Sequence, residues 1–257
     1  MYLQFDIEDG VARIVFQRPE VFNAMHQAMR AELIAALDAC AADDSVRAVY
    51  ITGSGRAFCA GEDLQEVVDP HGPSLGDILS TGYNPIVSKI RRMPKPIVAA
   101  VNGVAAGAGA NIALACDIVV AAASASFTQA FSKIGLIPDS GGTWTLPRLV
   151  GLQRASALMM LSDKISAEAA RDMGMIWQVL PDETFAEESL AIARRLAQMP
   201  TRGLALTKEA LNRSFSNDFE AQLRLEDQLQ GQAGATEDYR EGVAAFIEKR
   251  KPVFKGR

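Results

Sequence analysis

Residues 1–180 of this 257-residue chain predict an α/β fold, and the residues beyond predict a helical tail. Two observations point there. Apolar runs at 46–51, 97–101 and 118–123 read as strands buried on both faces. Beyond Gly151 the apolar residues instead recur at helical spacing, over 152–161, 166–173, 184–199, 201–213, 218–231 and 236–249, with one short strand near 176–180.

Taken in order, residues 3–7 and 11–16 alternate around Asp9-Gly10, a hairpin signal. Arg18-Pro19-Glu20 ends that hairpin. Asn23 is placed to cap a helix carrying Met29, Leu33, Ala36, Leu37 and Cys40 on one face, with His26 as a surface residue of its first turn. The strand at 46–51 ends at Thr52-Gly53-Ser54-Gly55, and RAFCAGEDL (56–64) follows as a turn of small residues. Residues 68–77, VDPHGPSLGD, read as a loop by composition, His71 included. A helix over 84–92 stops at Pro94-Lys95-Pro96.

The stretch IVAAVNGVAAGAGANIALACD (97–117) organises the rest. A strand breaks at Asn102-Gly103, Gly107-Ala108-Gly109 turns the chain with almost no side chains, and a helix begins near Ala110. Such a turn leaves backbone N–H groups at the positive end of a helix, free to meet an anion that is bound or that forms during a reaction. Close packing of helix on sheet would also explain the small residues. A dinucleotide site fits poorly: after Gly107-x-Gly109 the third small residue, Ala113, comes one place late, and no acidic residue ends the strand at 118–123.

Composition narrows the chemistry. Hydrophobic residues make up 49% and charged residues 22%, which suits one large soluble domain or a domain with an appendage. A net charge of −5 without a Lys/Arg block argues against nucleic acid as a partner. Three cysteines suit a reducing compartment, and the first ten residues hold neither a basic leader nor an apolar export segment, so a cytoplasmic location is expected. The longest apolar region, 97–123, is interrupted by Asn102, Asn111 and Asp117, and reads as core and not as a membrane span. Two histidines and no cysteine pair at ligand spacing leave little for a metal site or a Ser–His–Asp triad. Catalysis is expected to rest on carboxylates and backbone donors. Taken alone, Asp139, in Pro138-Asp139-Ser140, reads as a cap for the helix starting near Gly141.

Three stretches together resemble the enoyl-CoA hydratase/isomerase (crotonase) superfamily: FCAGEDL at 58–64, AVNGVAAGAGANIALACD at 100–117 and IGLIPDSGGTW at 134–144. Arg18-Pro19-Glu20 with Asn23-Ala24, and AFIEKRKPVF at 245–254, extend the similarity over nearly the whole chain. Within that superfamily the sequence looks most like the ring-1,2-epoxyphenylacetyl-CoA isomerases of phenylacetate degradation, through AFSKIGLIPDSGGTW, NGVAAGAGA, the VDPHGP loop, GMIWQV (174–179) and DYREGVAAF (238–246). The resemblance implies a spiral of ββα turns forming two roughly perpendicular sheets over residues 1–199. It also implies a C-terminal helical region, 200–257, that builds a homotrimer or a hexamer made of two trimers.

The resemblance further implies site roles. The backbone N–H groups of Glu62 and Ala108 would hold the thioester oxygen of an acyl-CoA, with the Glu62 carboxylate pointing away from it. Asp139 would be the acid/base. Hydratases of this family use two glutamates, and those positions fall here on Asn111 and Phe131, so hydration looks lost. Val21, Phe22 and Ala60 match positions along coenzyme A, Phe246 and Lys249 match residues that reach it from the C-terminal helix of a neighbouring subunit, and Tyr83 precedes the helix expected to line the acyl pocket. No cofactor is expected beyond the coenzyme A of the substrate. The expected activity is rearrangement of the ring epoxide of phenylacetyl-CoA to the oxepin, with 3-enoyl to 2-enoyl-CoA isomerisation as the next reading and a non-catalytic binding protein as a third.

Overall fold

The computed structural model describes residues 1–68 and 72–257. The hairpin forms as its turn residues require: β1 (Leu3–Glu8) pairs antiparallel with β2 (Val11–Phe16), and Asp9 and Gly10 both take positive φ, 51° and 78°. The next helix, α1 (Gln27–Ala42), buries Met29, Leu33, Leu37 and Cys40. Its cap is not Asn23 but His26, whose Nδ1 accepts from the Met29 amide at 3.1 Å. Asn23 lies outside the helix with φ 56°, a conformation asparagine tolerates. Its side chain accepts from the Arg18 amide (2.8 Å) and donates to the Ser54 and Ala57 carbonyls (3.0 and 2.8 Å), locking two loops together.

After β3 (Ala48–Gly53) the chain leaves the first sheet for β4 (Ala57–Cys59) in a second. Two short helices follow, α2 (Leu64–Val67) and α3 (Leu75–Ile78). The second of these starts inside the stretch expected to be loop, 68–77, with the Ser74 hydroxyl accepting from the Asp77 amide at 3.2 Å. The expectation for His71 lies outside the described residues. A π turn, Leu79–Tyr83, leads into α4 (Asn84–Arg92).

The same step from sheet to sheet then recurs. β5 (Ile97–Val101) passes to β6 (Val104–Ala106) and α5 (Ala108–Ala115), and β7 (Ile118–Ala122) passes to β8 (Ser126–Thr128). The first sheet has the order β1-β2-β3-β5-β7 and ends on β10 (Gln178–Leu180), parallel from β2 onward. The second runs β4-β6-β8 and ends on β9 (Ile165–Ser166), which pairs antiparallel with β8. Between β8 and β9 lie a 3-10 turn at Ala130–Ile134, α6 (Gly142–Val150) and α7 (Leu152–Leu161), and α8 (Ala167–Asp172) comes just before β10.

All eight residues of α5 are buried, against β4, β5 and β6. At Gly109 no side chain fits, because a Cβ there would come within 2.3 Å of the Cys59 carbonyl oxygen. That close approach brings the two small-residue turns, after β4 and after β6, side by side.

The tail consists of α9 (Phe185–Ala197), packed on β2, β3, β5 and β7, and of α10 (Thr201–Ser214), α11 (Phe219–Gly234) and α12 (Glu237–Glu248). α10 is pinned to the core by Lys208, whose Nζ donates to Asp117 Oδ2 and the Ile90 carbonyl, each at 2.7 Å. Tyr239, Val243, Phe246 and Ile247 of α12 form an apolar stripe that this chain leaves exposed. Among the described residues no helix is long and apolar enough to cross a membrane.

Candidate active site

Strand pairing decides which amides of the turn after β4 are free. Met25 bridges Glu62 in parallel fashion: the Met25 amide donates to the Gly61 carbonyl (2.7 Å) and the Asp63 amide to the Met25 carbonyl (2.9 Å). In that pattern the bonds go to the residues either side of Glu62, so its own N–H faces away from Met25. Gly61 makes the bend with φ 98°. Ala108, the first residue of α5, has an N–H with no acceptor inside the helix. Gly107 before it holds φ 52°, ψ −128°, which calls for glycine. The two turns touch, since a Cβ on Gly61 would lie 3.0 Å from the Ala106 carbonyl oxygen and 3.3 Å from the Ala108 nitrogen.

Both turns open on a cavity of about 790 Å³. Ala60, Glu62, Ala108, Tyr83, Phe131 and Asp139 all line it. The ring of Phe131 lies over the turn, its Cζ 3.8 Å from where a Gly107 Cβ would be. Leucine, isoleucine and valine side chains from α2, α3 and residues 134–137 supply most of the remaining wall.

Asp139 sits in a turn of two consecutive left-handed residues, Ser140 (φ 52°) and Gly141 (φ 73°). Gly141 caps α6 without any side-chain bond. The helix-capping role open to Asp139 on sequence is therefore not the one its carboxylate plays. Among the described residues, that carboxylate accepts only from the Ser140 hydroxyl, at 2.8 Å. Burial pushes its pKa above the usual aspartate value, against the pull of that one bond.

Asn111, at one of the two positions that carry glutamates in hydratases, is not among the residues that line the cavity. Its Nδ2 donates to the Asp139 carbonyl (2.9 Å) and its Oδ1 accepts from Gln129 (2.8 Å). A Cβ on Gly142 would fall 2.3 Å from that Nδ2, so the glycine admits the asparagine. Asn111 thus fixes the Asp139 turn from below.

The Glu62 carboxylate is taken up by Arg30, whose Nη1 donates to both of its oxygens at 2.7 Å. Burial nonetheless pushes the Glu62 carboxyl up to about 7, with Arg30 pulling the other way. Tyr83 is buried and its phenol pKa lies well above the ordinary value, again through burial first and then the neighbouring Glu62. Asp63 ties the loop to the fold, bonding Arg18 at 2.9 Å. Cys59 is buried and its thiol pushed up to about 12, the behaviour of a small apolar residue.

The coenzyme A candidates divide. Ala60 lines the cavity, and its amide donates to the Phe22 carbonyl at 3.0 Å. That bond puts Phe22 next to the cavity edge, its ring stacked by the Arg56 guanidinium at 5.2 Å. Val21 precedes it in the 3-10 turn Pro19–Val21. Phe246 and Lys249 are exposed at the end of α12 and do not line the cavity of their own chain. Sequence reasoning passed over Arg30 and Glu66, which meet only in the folded chain.

The enoyl-CoA hydratase/isomerase family profile matches residues 6–257. The chain belongs to that family. Among its relatives, the 1,2-epoxyphenylacetyl-CoA isomerase of Escherichia coli K12 is 50% identical over 254 residues, covering 98% of this chain and 97% of that protein. A Rhodobacter capsulatus protein named "Probable enoyl-CoA hydratase" is 49% identical, covering 99% and 98%. The crystal structure of an enoyl-CoA hydratase from Bacillus anthracis superposes with a TM-score of 0.93 at 33% identity, covering 100% of both chains. The two-sheet fold with C-terminal helices is the crotonase fold expected from the sequence. The chain is accordingly a crotonase-superfamily enzyme.

Proposed function

We propose that this crotonase is an acyl-CoA isomerase that rearranges the ring-1,2-epoxide of phenylacetyl-CoA to the seven-membered oxepin. In this reading the Glu62 and Ala108 amides donate to the thioester oxygen. Removal of a proton beside the thioester puts negative charge on that oxygen, and two aimed donors gain most as the charge develops. Electrocyclic opening of the carbon–carbon bond shared by the epoxide and the six-membered ring gives the oxepin, and Asp139 takes the proton from beside the thioester and returns it to a ring carbon.

The observation that carries the reading is Asp139 itself, a cavity carboxylate with a single hydroxyl partner and a basicity raised by burial. Adding water to an enoyl-CoA needs one group to deprotonate a held water and another to return a proton to carbon. Phe131 has no ionisable atom, and the amide of Asn111 is spent on Asp139 and Gln129. Glu62, the other acidic residue lining the cavity among the described residues, has its carboxylate committed to Arg30. The similarity to the Escherichia coli isomerase supports the same substrate.

We further propose that the exposed apolar stripe of α12 is covered in a homotrimer, singly or as a pair of trimers. Phe246 and Lys249 would there reach the coenzyme A of a neighbouring subunit, beside Val21, Phe22 and Ala60 of that subunit.

The test is Asp139→Asn assayed against the ring epoxide and against a 3-enoyl-CoA. The variant is expected to fold, bind coenzyme A thioesters and lose turnover by several powers of ten, as for loss of a general base together with its charge. Retention of more than about a tenth of wild-type kcat would remove Asp139 from the chemistry. Wild-type turnover of the 3-enoyl-CoA alone would change the substrate and leave the proton transfer in place.

A further inference from the structure

Arg30 gathers four separate parts of the chain beneath the turn that carries Glu62. From the first turn of α1, its Nη1 donates to both Glu62 oxygens and its Nη2 to Glu66 Oε2, each at 2.7 Å. The same Nη1 reaches the Met25 carbonyl at 3.3 Å, the group that also receives the Asp63 amide. Its guanidinium carbon lies 5.5 Å from the centre of the Tyr83 ring. The side chain is 4% exposed.

Room for it is made by Gly82. A Cβ there would stand 2.7 Å from Arg30 Nε and 2.8 Å from Cδ. Gly82 belongs to the π turn Leu79–Tyr83, and such turns recur where a helix is adjusted around a functional group. A surface ion pair would need none of this.

Glu62 poses a problem that the cluster answers. Its amide is to meet a developing negative charge, while the same residue of the cavity wall carries a carboxylate. Left free, that carboxylate would oppose enolate formation through a half-buried medium in which charges are weakly screened. Two oxygens fixed to one planar guanidinium cannot swing toward the substrate.

Building on the acyl-CoA reading above, we propose that Arg30 is a positioning residue for proton transfer. It withholds the Glu62 carboxylate from the thioester oxygen and fixes the turn that presents the residue-62 amide. Lysine at this position supplies charge without the fork that spans Glu62 and Glu66.

The test compares Arg30→Met, Arg30→Lys and the double variant Arg30→Met/Glu62→Gln. One readout is the rate at which phenylacetyl-CoA exchanges α-protons in D₂O, followed by mass spectrometry. The other is the affinity of that thioester relative to its thioether analogue, which lacks the oxygen. Arg30→Met is expected to slow exchange about a hundredfold, as for loss of one oxyanion donor, and to erase the thioester preference while thioether binding stays within about threefold. Arg30→Lys should fall between. The double variant should regain at least about tenfold in exchange over Arg30→Met, because the stray carboxylate is gone.

A merely structural tie predicts the opposite: a double variant as slow as Arg30→Met, which would overturn the proposal. So would Arg30→Met exchanging within about threefold of wild type, or a wild-type protein without thioester preference. Wild type that prefers the thioester yet exchanges no proton would overturn the isomerase reading, and loss of that preference in Arg30→Met would still uphold the role of Arg30.

Discussion

Replacing Gly109 by alanine adds one methyl group at the seam between the two turns. It would sit 2.3 Å from the Cys59 carbonyl oxygen and 2.7 Å from the Cys59 Cβ, whereas ordinary contact begins at 3.4 Å. The turn after β4 and the first turn of α5 must therefore separate by about 1 Å, and both sides are fully buried backbone with no slack. Tightly packed interiors resist such insertion at a cost of about 1–3 kcal/mol, so the fold should survive with a lowered melting temperature. Displacement by about 1 Å is enough to cost about a hundredfold in rate where geometry is exacting. Steady-state kinetics should then show kcat falling about a hundredfold with KM within about threefold, the signature of an interaction made mainly in the transition state. A folded Gly109→Ala protein with wild-type kcat would refute the pairing of these turns as the oxyanion site. A loss confined to KM would refute it equally.

Further expectations concern pH and assembly. Asp139 must be ionised to act, so kcat/KM should rise along a limb lying above the ordinary aspartate range. Because Arg30 keeps the Glu62 carboxylate from the thioester oxygen, that limb should be unchanged in Glu62→Gln. For stability the sign follows from the raised Glu62 value: between its ordinary 4.5 and about 7 the folded chain holds this proton more tightly than the unfolded chain. Urea titrations should accordingly find that the Glu62 contribution to stability declines as pH rises through this window, a slope absent in Glu62→Gln. Phe219, Phe246 and Ile247 are each more than 70% exposed in the single chain. Light scattering should therefore show a trimer or hexamer, and a stable monomer at micromolar concentration would contradict the proposed coenzyme A contacts of α12.

The parts of the fold legible in the sequence are those fixed by local pattern. β5 is a continuous apolar run bounded by Pro96 and Asn102, and its limits, Ile97–Val101, are readable residue by residue. The helices from α7 to α12 follow their apolar periodicity to within a few residues. The second sheet was legible only through the family resemblance, because β4, β6 and β8 are three residues each, shorter than any period can register. Asn23 resembles a cap by residue type, yet its amide serves carbonyls 31 and 34 positions away. Such tertiary demand overrides a local preference. The cavity contains several residues picked out by motif, whereas the Arg30 cluster depends on partners 32 and 36 positions distant and on a π turn that no spacing rule announces. The position of Asn111 is legible in the motif, but the direction of its amide, toward the Asp139 carbonyl, is set by packing against Gly142.

The central claim is that this site moves protons on an acyl-CoA without adding water, and one incubation in D₂O tests it. Crotonyl-CoA and phenylacetyl-CoA are mixed with wild-type protein and the products resolved by mass spectrometry. Deuterium should enter an acyl-CoA at a carbon beside or conjugated to the thioester, with no 3-hydroxybutyryl-CoA formed, because Phe131 lines the cavity and the Asn111 amide is bonded to the Asp139 carbonyl. Ready formation of 3-hydroxybutyryl-CoA in the same tube would show Glu62 working as a second acid/base despite Arg30, and would contradict the isomerase assignment itself.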